Sequence, residues 1–464
     1  MNINDANLKH DDNNKVVTSV DNFKPMKELL DNTGCGFCLA KWSQVTTHLG
    51  SGITHSCHHV GAHKIPLEEL AENPSALHNT KEKKQRRKEM LNGERPDECD
   101  YCWRIEDNTN SYSDRVQKSL QDWSLIDHDK IIASTGDENI NPRYMEISFS
   151  NVCNFKCSYC GPPFSSKWAE EIRTEGPYKL HMTHYNGIKE HEVQIPNREY
   201  NPYVEAFWKW WPDLVKDLMV FRITGGEPLL SKDTWKVLDF LEENPQPHLQ
   251  LSINTNSCVE EKIYQKFVHQ LNRLTEKNCV RLIEIHTSAE SSGIQAEYSR
   301  DGMDWNLFTT NVAYLLDNAE HVKLNFMSAF NILSLPTFGS YIYYLKSLKE
   351  KYSNNRVKCD FAFVRHPHFL DIKIATKELV LKYLKPALEF VQQQKSFSDW
   401  EKQKLLRIYE DCESRFEKEH ENVKRFRYQF YQFITQYDQR RGKDFLKTFP
   451  QYKTFLRMCK NSYV

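Results

Sequence analysis

The sequence predicts an α/β fold, a partial (β/α)6 barrel between a cysteine-rich N-terminal region and a helical C-terminal region. Three observations carry that expectation. Between residues 140 and 370, strand-like stretches alternate with amphipathic helical ones, the pattern of parallel β/α units. Each strand-like stretch has one apolar and one polar face. Cysteines gather in spaced groups before the first of these strands and directly after it.

The strands are read at Tyr144–Phe149, Met219–Thr224, Gln250–Thr255, Arg281–Ser288, Val322–Met327 and Lys358–Phe363. Between them lie amphipathic stretches such as Asp233–Leu241 and Lys262–Leu274, where Ile263, Phe267, Leu271 and Leu274 share one helix face. Met145, Ile147 and Phe149 alternate with Glu146, Ser148 and Ser150; Phe221 and Ile223 oppose Arg222 and Thr224. Ser252 and Asn254 oppose Leu251 and Ile253, and Glu284, His286 and Ser288 oppose Ile283 and Ile285. A strand covered on both faces would be apolar throughout. One polar face instead fits a partly open barrel with helices outside and a polar interior. Interior charges need partners, so Glu146 and Arg222 are expected to face each other.

The flanks are less patterned. Residues 1–20 are polar and read as a flexible tail rather than a secretion signal. Residues 21–125 form the cysteine-rich unit and 371–464 the helical region, with apolar residues at helix spacing in Lys377–Gln393 and aromatics in Phe426–Phe433. No apolar run nears the roughly 20 residues that cross a bilayer, so a cytoplasmic protein without a membrane partner is expected. The 62 basic and 63 acidic residues leave a net charge of −1, which gives no reason to expect nucleic acid. The basic run Lys81–Lys88 reads as a solvated helix face.

Thirteen cysteines are many for such a chain. Seven fall into spaced groups, which is how metal ligands are arranged. Cys35, Cys258, Cys279, Cys359, Cys412 and Cys459 are scattered, and each alone reads as a small core residue. Cys153, Cys157 and Cys160 follow the first strand with C-x3-C-x2-C spacing. Four thiolates saturate a [4Fe–4S] cubane, so three leave one iron open. A zinc site usually starts from paired ligands, C-x2-C or C-x4-C. The triplet resembles the signature of the radical S-adenosylmethionine (SAM) superfamily, in which the open iron chelates the cofactor's amino and carboxylate groups. That resemblance implies a TIM-like radical SAM barrel, a catalytic [4Fe–4S] cluster and S-adenosyl-L-methionine.

The second strand ends in Thr224-Gly225-Gly226-Glu227-Pro228, similar to the superfamily's GGEP segment, which binds the methionine amino group. The resemblance further implies cofactor contacts from Asn254, Ser288, Glu290 and Arg300, with Ser288 and Arg300 at the carboxylate and Glu290 near the ribose or substrate. This chain has Ser288-Ala289-Glu290 where many members have an Asp followed by Gly. Tyr159, just before the third cysteine, takes the place of an aromatic that packs beside the adenine.

Cys38, Gly52 and Cys57 form a C-x13-G-x4-C run, continued by Cys99-Asp100-Tyr101-Cys102. With Trp42 and Glu106 this set resembles the auxiliary-cluster motif of SPASM and twitch domains, here placed before the barrel as in N-terminal twitch radical SAM proteins. Four thiolates, Cys38, Cys57, Cys99 and Cys102, would then hold an auxiliary [4Fe–4S] cluster. The competing reading pairs Cys35-Gly36-Phe37-Cys38 with Cys99–Cys102 as a zinc ribbon. The choice turns on whether Cys57 or Cys35 is the fourth ligand, and the Gly52 spacing favours Cys57.

The resemblance implies reductive cleavage of SAM, with an electron donor such as flavodoxin or ferredoxin, and hydrogen abstraction by a 5′-deoxyadenosyl radical. SPASM and twitch enzymes often modify peptides, so a peptide or protein side chain is the leading substrate, through oxidation, crosslinking or epimerisation. Cys359 is the spare thiol that could return a hydrogen. A small molecule such as a sugar or nucleotide derivative is the second substrate class. A non-enzymatic zinc or iron–sulfur scaffold or redox sensor is the alternative of another kind. Residues 161–217 could form a lid or substrate wall, although Trp208, Trp210 and Trp211 read first as helical core.

Overall fold

The computed structural model describes residues 6, 8–11, 16–416 and 422–462. The rest of the expected tail and parts of the expected C-terminal region, residues 1–5, 7, 12–15, 417–421 and 463–464, lie outside the described residues. The strands are β1 (Gln44–His48), β2 (Ile53–His55), β3 (His63–Lys64), β4 (Tyr144–Ser148), β5 (Lys156–Cys157), β6 (Tyr178–Leu180), β7 (Thr183–Tyr185), β8 (Val220–Thr224), β9 (Gln246–Thr255), β10 (Val280–Ser288), β11 (Arg300–Asp301), β12 (Lys323–Phe330) and β13 (Val357–Phe363). All six expected strands are present, with ends moved by at most four residues: they are β4, β8, β9, β10, β12 and β13.

The chain forms two compact units. The first comprises residues up to Ser150 with Val193–Thr224 and Asn244–Ser252; the second comprises Asn151–Glu192, Gly225–Glu243 and the chain from Ile253 onward. The boundary passes through β9, so each unit holds part of that strand.

In the first unit the strand order is β3-β2-β1-β4-β8-β9. β1, β4 and β8 are parallel, while β2 and β3 return antiparallel. The register aligns Val45, Met145 and Phe221 in one row and Thr46, Glu146 and Arg222 in the next. Because side chains alternate across a strand, the first row is fully buried and the second forms the polar face. Arg222 Nε lies 3.9 Å from Glu146 Oε2, the pairing expected from the alternation.

The helix Pro202–Leu214 covers the apolar face. Asn201 caps it by accepting from the amides of Tyr203 and Val204, and Pro202 sits where no amide is needed. Its aromatic face carries Phe207 and Trp211, both fully buried, with Trp211 4.7 Å from Phe221 by ring centroids. Trp208 stacks on Phe149. Trp210 and Trp211 are core, each worth a few kcal/mol of apolar burial, while Trp208 is half-buried.

A second core in this unit gathers Met26, Leu29 and Leu30 of the helix Phe23–Thr33 with Phe37, Trp42, Met90 and Leu120. Leu8 joins it, and the Lys9 amide donates to Asn22 Oδ1 at 2.7 Å. Residues 8 and 9 of the expected tail are therefore held in place. The helix Lys81–Leu91 also differs from its expectation as a solvated face. Lys83 and Arg87 are buried, Lys83 donating to Thr54 Oγ1 at 2.8 Å and Arg87 to Asn79 Oδ1 at 2.9 Å.

In the second unit β10, β12 and β13 lie side by side, parallel and in register. The helices Lys232–Glu243, Glu261–Glu276, Trp305–Asn318 and Phe338–Tyr352 fill the intervals. In the C-terminal region Lys377–Gln393 is helical throughout but widens to a π turn at Val380–Leu384. Pro386 follows, a residue without an amide to close a regular turn, and the widened turn accommodates it. The helix Asn422–Arg441 carries the aromatic stretch.

Candidate active site

The cysteine loop leaves the sheet at Asn151 and is held at both ends. Ser165 caps the following helix, Ser166–Glu175, by accepting from the Trp168 amide, and its hydroxyl donates to Phe155 O at 2.6 Å. β5 pairs antiparallel with β11, setting Cys157 opposite Arg300. The Asn256 side-chain amide donates to Asn154 Oδ1, and that of Asn154 to Cys258 O, at 2.7 and 2.9 Å. These bonds tie the loop to the segment after β9.

Cys153, Cys157 and Cys160 line one cavity of about 340 Å³, together with Tyr159, Gly225, Gly226, Asn254, Ser288 and Arg300. All are sequence-predicted site residues, brought together from the ends of successive strands. Thr255, Asn256, Met327, Ser328, Ala362 and Phe363 also line it. The sequence reading missed these. Asn256 had a usable signal, a second Asn just beyond the third strand.

Two expected contacts are placed differently. Glu227 is fully buried away from the cavity wall. Its Oε1 accepts from the Leu229 amide at 3.0 Å and Thr255 Oγ1 at 2.8 Å, and its Oε2 from the Asn256 amide at 2.7 Å. The carboxylate is thus a staple between the loops after β8 and β9. Burial raises its pKa to about 7, against those three donors. The two glycines before it do line the cavity. A Cβ on Gly226 would stand 2.1 Å from Val152 O, so only glycine lets this loop rest on the cysteine loop.

Glu290 is the second. It is fully buried behind Arg300, off the cavity wall, with Arg300 Nη2 2.6 Å from its Oε2. The Tyr159 hydroxyl donates to the same carboxylate at 3.1 Å, and the Arg300 guanidinium lies 5.5 Å from the Tyr159 ring centre. Glu290 therefore orients Arg300, whose Nη1 reaches 3.9 Å from Cys157 Sγ.

Cys359 is not in the cavity. On β13 it shares a face with Val357 and Phe361, the buried side opposite Ala362. Its Sγ lies 3.2 Å from Glu401 Oε1, within a buried pair in which Lys349 donates to Glu401 at 2.8 Å. Strand parity thus turns the thiol expected to return a hydrogen away from the cavity wall.

The donor set fits an iron–sulfur group. Burial raises the pKa of all three thiols, that of Cys160 to about 12, so three thiolates here need a strong positive centre beside them. The glycine-floored cavity and the Arg300 cation suit an amino acid carboxylate next to that centre.

No family model matches the chain. It is similar to GTP 3′,8-cyclases from Campylobacter lari (28% identity over 116 residues) and from two strains of Klebsiella pneumoniae (30% and 31% over 114 residues each). Each match takes in 24–25% of this chain, and the chain spans 26–28% of those relatives' lengths. GTP 3′,8-cyclases are radical SAM enzymes. At the level of the superfamily, this chain is similar to radical SAM enzymes.

A second thiol group lies wholly within the first unit. Cys38, Cys57, Cys99 and Cys102 line one small cavity with Lys41, His59, Arg115 and Lys118. Cys35 does not: it is exposed, with its Sγ 3.5 Å from Gly93 O. Short elements set the thiols. Cys38 precedes the helix Ala40–Ser43, Cys57 follows β2, and Cys99 begins the helix Asp100–Asn108 that carries Cys102. Gly52 (φ +64°) makes room for Tyr203, whose ring a Cβ would meet at 2.1 Å.

Burial raises Cys38, and lifts Cys99 to about 12 and Cys102 to about 11, with Lys41 opposing the rise at Cys99. Arg115 is fixed by Glu106 and Asp31, each with a contact of 2.8 Å, and donates to Phe37 O at 3.0 Å. His59 stacks on Tyr101 and faces Asp114 at 2.9 Å, while His55 Nδ1 lies 2.8 Å from Cys57 O. Among the described residues, no three His, Cys, Asp or Glu side chains are drawn onto a single metal-ion position. Among the described residues, no helix is long and apolar enough to cross a membrane.

Proposed function

We propose that this protein is a radical SAM enzyme that abstracts hydrogen from a small-molecule substrate. The observation that carries the reading is the convergence of Cys153, Cys157 and Cys160 with Gly225, Gly226, Ser288 and Arg300 on one cavity. The three thiolates would hold a [4Fe–4S] cluster, and Arg300 and Ser288 the SAM carboxylate. When bound, these groups supply an electron and a 5′-deoxyadenosyl radical. The chain's own part is to orient and to shield. Glu290 holds Arg300 in place, Asn254 and Asn256 offer hydrogen bonds on the cavity wall, and Phe155, Phe164 and Phe363 keep it partly apolar.

A small molecule is preferred over the peptide expected from the sequence because the similar proteins are named for a nucleotide substrate. Nothing on the cavity wall favours a peptide. The thiols of Cys38, Cys57, Cys99 and Cys102 would hold an auxiliary [4Fe–4S] cluster; the zinc-ribbon alternative needs Cys35, which stands outside their cavity.

Anaerobic purification tests the reading. About eight irons per chain and 5′-deoxyadenosine on reduction with dithionite are expected. Zinc at both thiol groups, with no SAM cleavage, would sink it. Deuterated nucleotides and peptides would then be offered separately, and label appearing in 5′-deoxyadenosine only from peptides would reverse the substrate assignment.

A further inference from the structure

The C-terminal helical region has no part in the superfamily motifs, yet its helix Asn422–Arg441 ends against the cysteine loop. Arg441 is buried, its side chain 1% exposed. Its Nη1 donates to Lys156 O, the carbonyl just before Cys157, at 2.7 Å. Its Nε donates to Glu171 Oε2 at 3.1 Å, and its guanidinium faces Asp301 at 3.4 Å. The guanidinium is sandwiched between Tyr437 and Trp168, at 4.0 and 4.5 Å from the ring centres. Trp168 in turn donates its indole N–H to Cys157 O at 2.9 Å.

Two successive carbonyls of the loop, at Lys156 and Cys157, are therefore held by Arg441 and by the ring on which it lies. Asp301 belongs to β11, which pairs with the loop from the other side. Four cations, Arg440, Arg441, Lys156 and Lys443, face two carboxylates, Glu171 and Asp301. The assembly leaves positive charge beside Cys157.

We propose that Arg441 is a positioning residue for the catalytic cluster: it fixes the Lys156–Cys157 backbone and supplies a cation that stabilises the cluster's reduced, more negative state. The C-terminal region is then part of the redox machinery and more than a cover. This rests on the reading of Cys153, Cys157 and Cys160 as cluster ligands. A fork that grips a carbonyl and a carboxylate together is something arginine supplies and lysine does not.

The test uses the full chain, reconstituted anaerobically, following the reduced-cluster electron paramagnetic resonance signal that changes when SAM is added. Arg441→Gln should lower the midpoint potential of that signal and speed cluster loss to a chelator about ten-fold. Arg441→Lys should restore the potential but not the retention. Glu171→Gln, which removes a negative charge from the same site, should shift the potential upward. That opposite sign keeps the test decisive if Arg441→Gln fails to fold. Potentials unmoved in Glu171→Gln, or in a folded Arg441→Gln, would overturn the proposal while leaving the enzyme reading intact. A wild-type chain with no SAM-responsive cluster would overturn both.

Discussion

Arg300 and Glu290 form a buried ion pair at the back of the candidate active site, with Nη2–Oε2 at 2.6 Å and Nε 3.1 Å from each oxygen. The pair makes a cation available at the cavity without leaving it uncompensated. Removing one member of such a pair strands a charge, at a cost of about 3–5 kcal/mol. Glu290→Gln is accordingly expected to lower unfolding stability by about that amount, measured by urea denaturation. Replacing both residues by leucine should cost less than the sum of the two single changes.

The thiol sets separate by exposure. Cys57 shares a cavity with three other cysteines, while Cys35 is exposed and outside it. Cys35→Ser should keep the full iron and acid-labile sulfide content. Cys57→Ser should lose about half of it, the share of one cubane in two. Equal loss in both variants would return the zinc-ribbon arrangement to consideration.

Cys359 faces Glu401 inside a buried network rather than the cavity. Cys359→Ala should leave 5′-deoxyadenosine formation unchanged and cost about 1–2 kcal/mol of stability through a lost hydrogen bond and a small void. A fall in turnover with stability unchanged would restore the thiol's expected chemical role.

What the sequence could reveal followed from how local each feature is. The six expected strands were legible because period-two alternation is written within five to ten residues, and the cysteine triplet because its ligands share one loop. β1 to β3 were not seen: β2 and β3 run three and two residues, too short for a periodic signal, and β1 has Val45 as its one aliphatic residue, so no alternation is written in it. Glu290 and Glu227 could be assigned to the site but not to their real partners, Arg300 on one hand and the Thr255 hydroxyl and Asn256 amide on the other. A counter-ion is a tertiary fact. Lys83 and Arg87 misled for a related reason. Their helix has almost no apolar face, and their burial is made tolerable by Thr54 and Asn79, outside that helix.

Glu227 gives the protein a pH signature. Its folded pKa, about 7, is above the ordinary glutamate value of 4.5. The folded state therefore holds a proton that the unfolded chain releases once pH passes 4.5. The contribution to stability is full below that pH, falls as pH rises toward 7 and is flat above it, a loss of about 3 kcal/mol at 1.36 kcal/mol per unit. Glu227→Gln cannot titrate. Thermal unfolding of wild type and variant at pH 5 and pH 8 should show wild type losing about 2.5 kcal/mol more stability across the interval, the rest of the loss falling below pH 5. The absolute stability of the variant will also drop, because an amide cannot accept from the Asn256 amide, the Leu229 amide and Thr255 as a carboxyl group does; the difference in pH dependence is the quantity that isolates the titration. Parallel pH profiles for the two proteins would mean that Glu227 stays ionised in the fold, its three donors outweighing its burial.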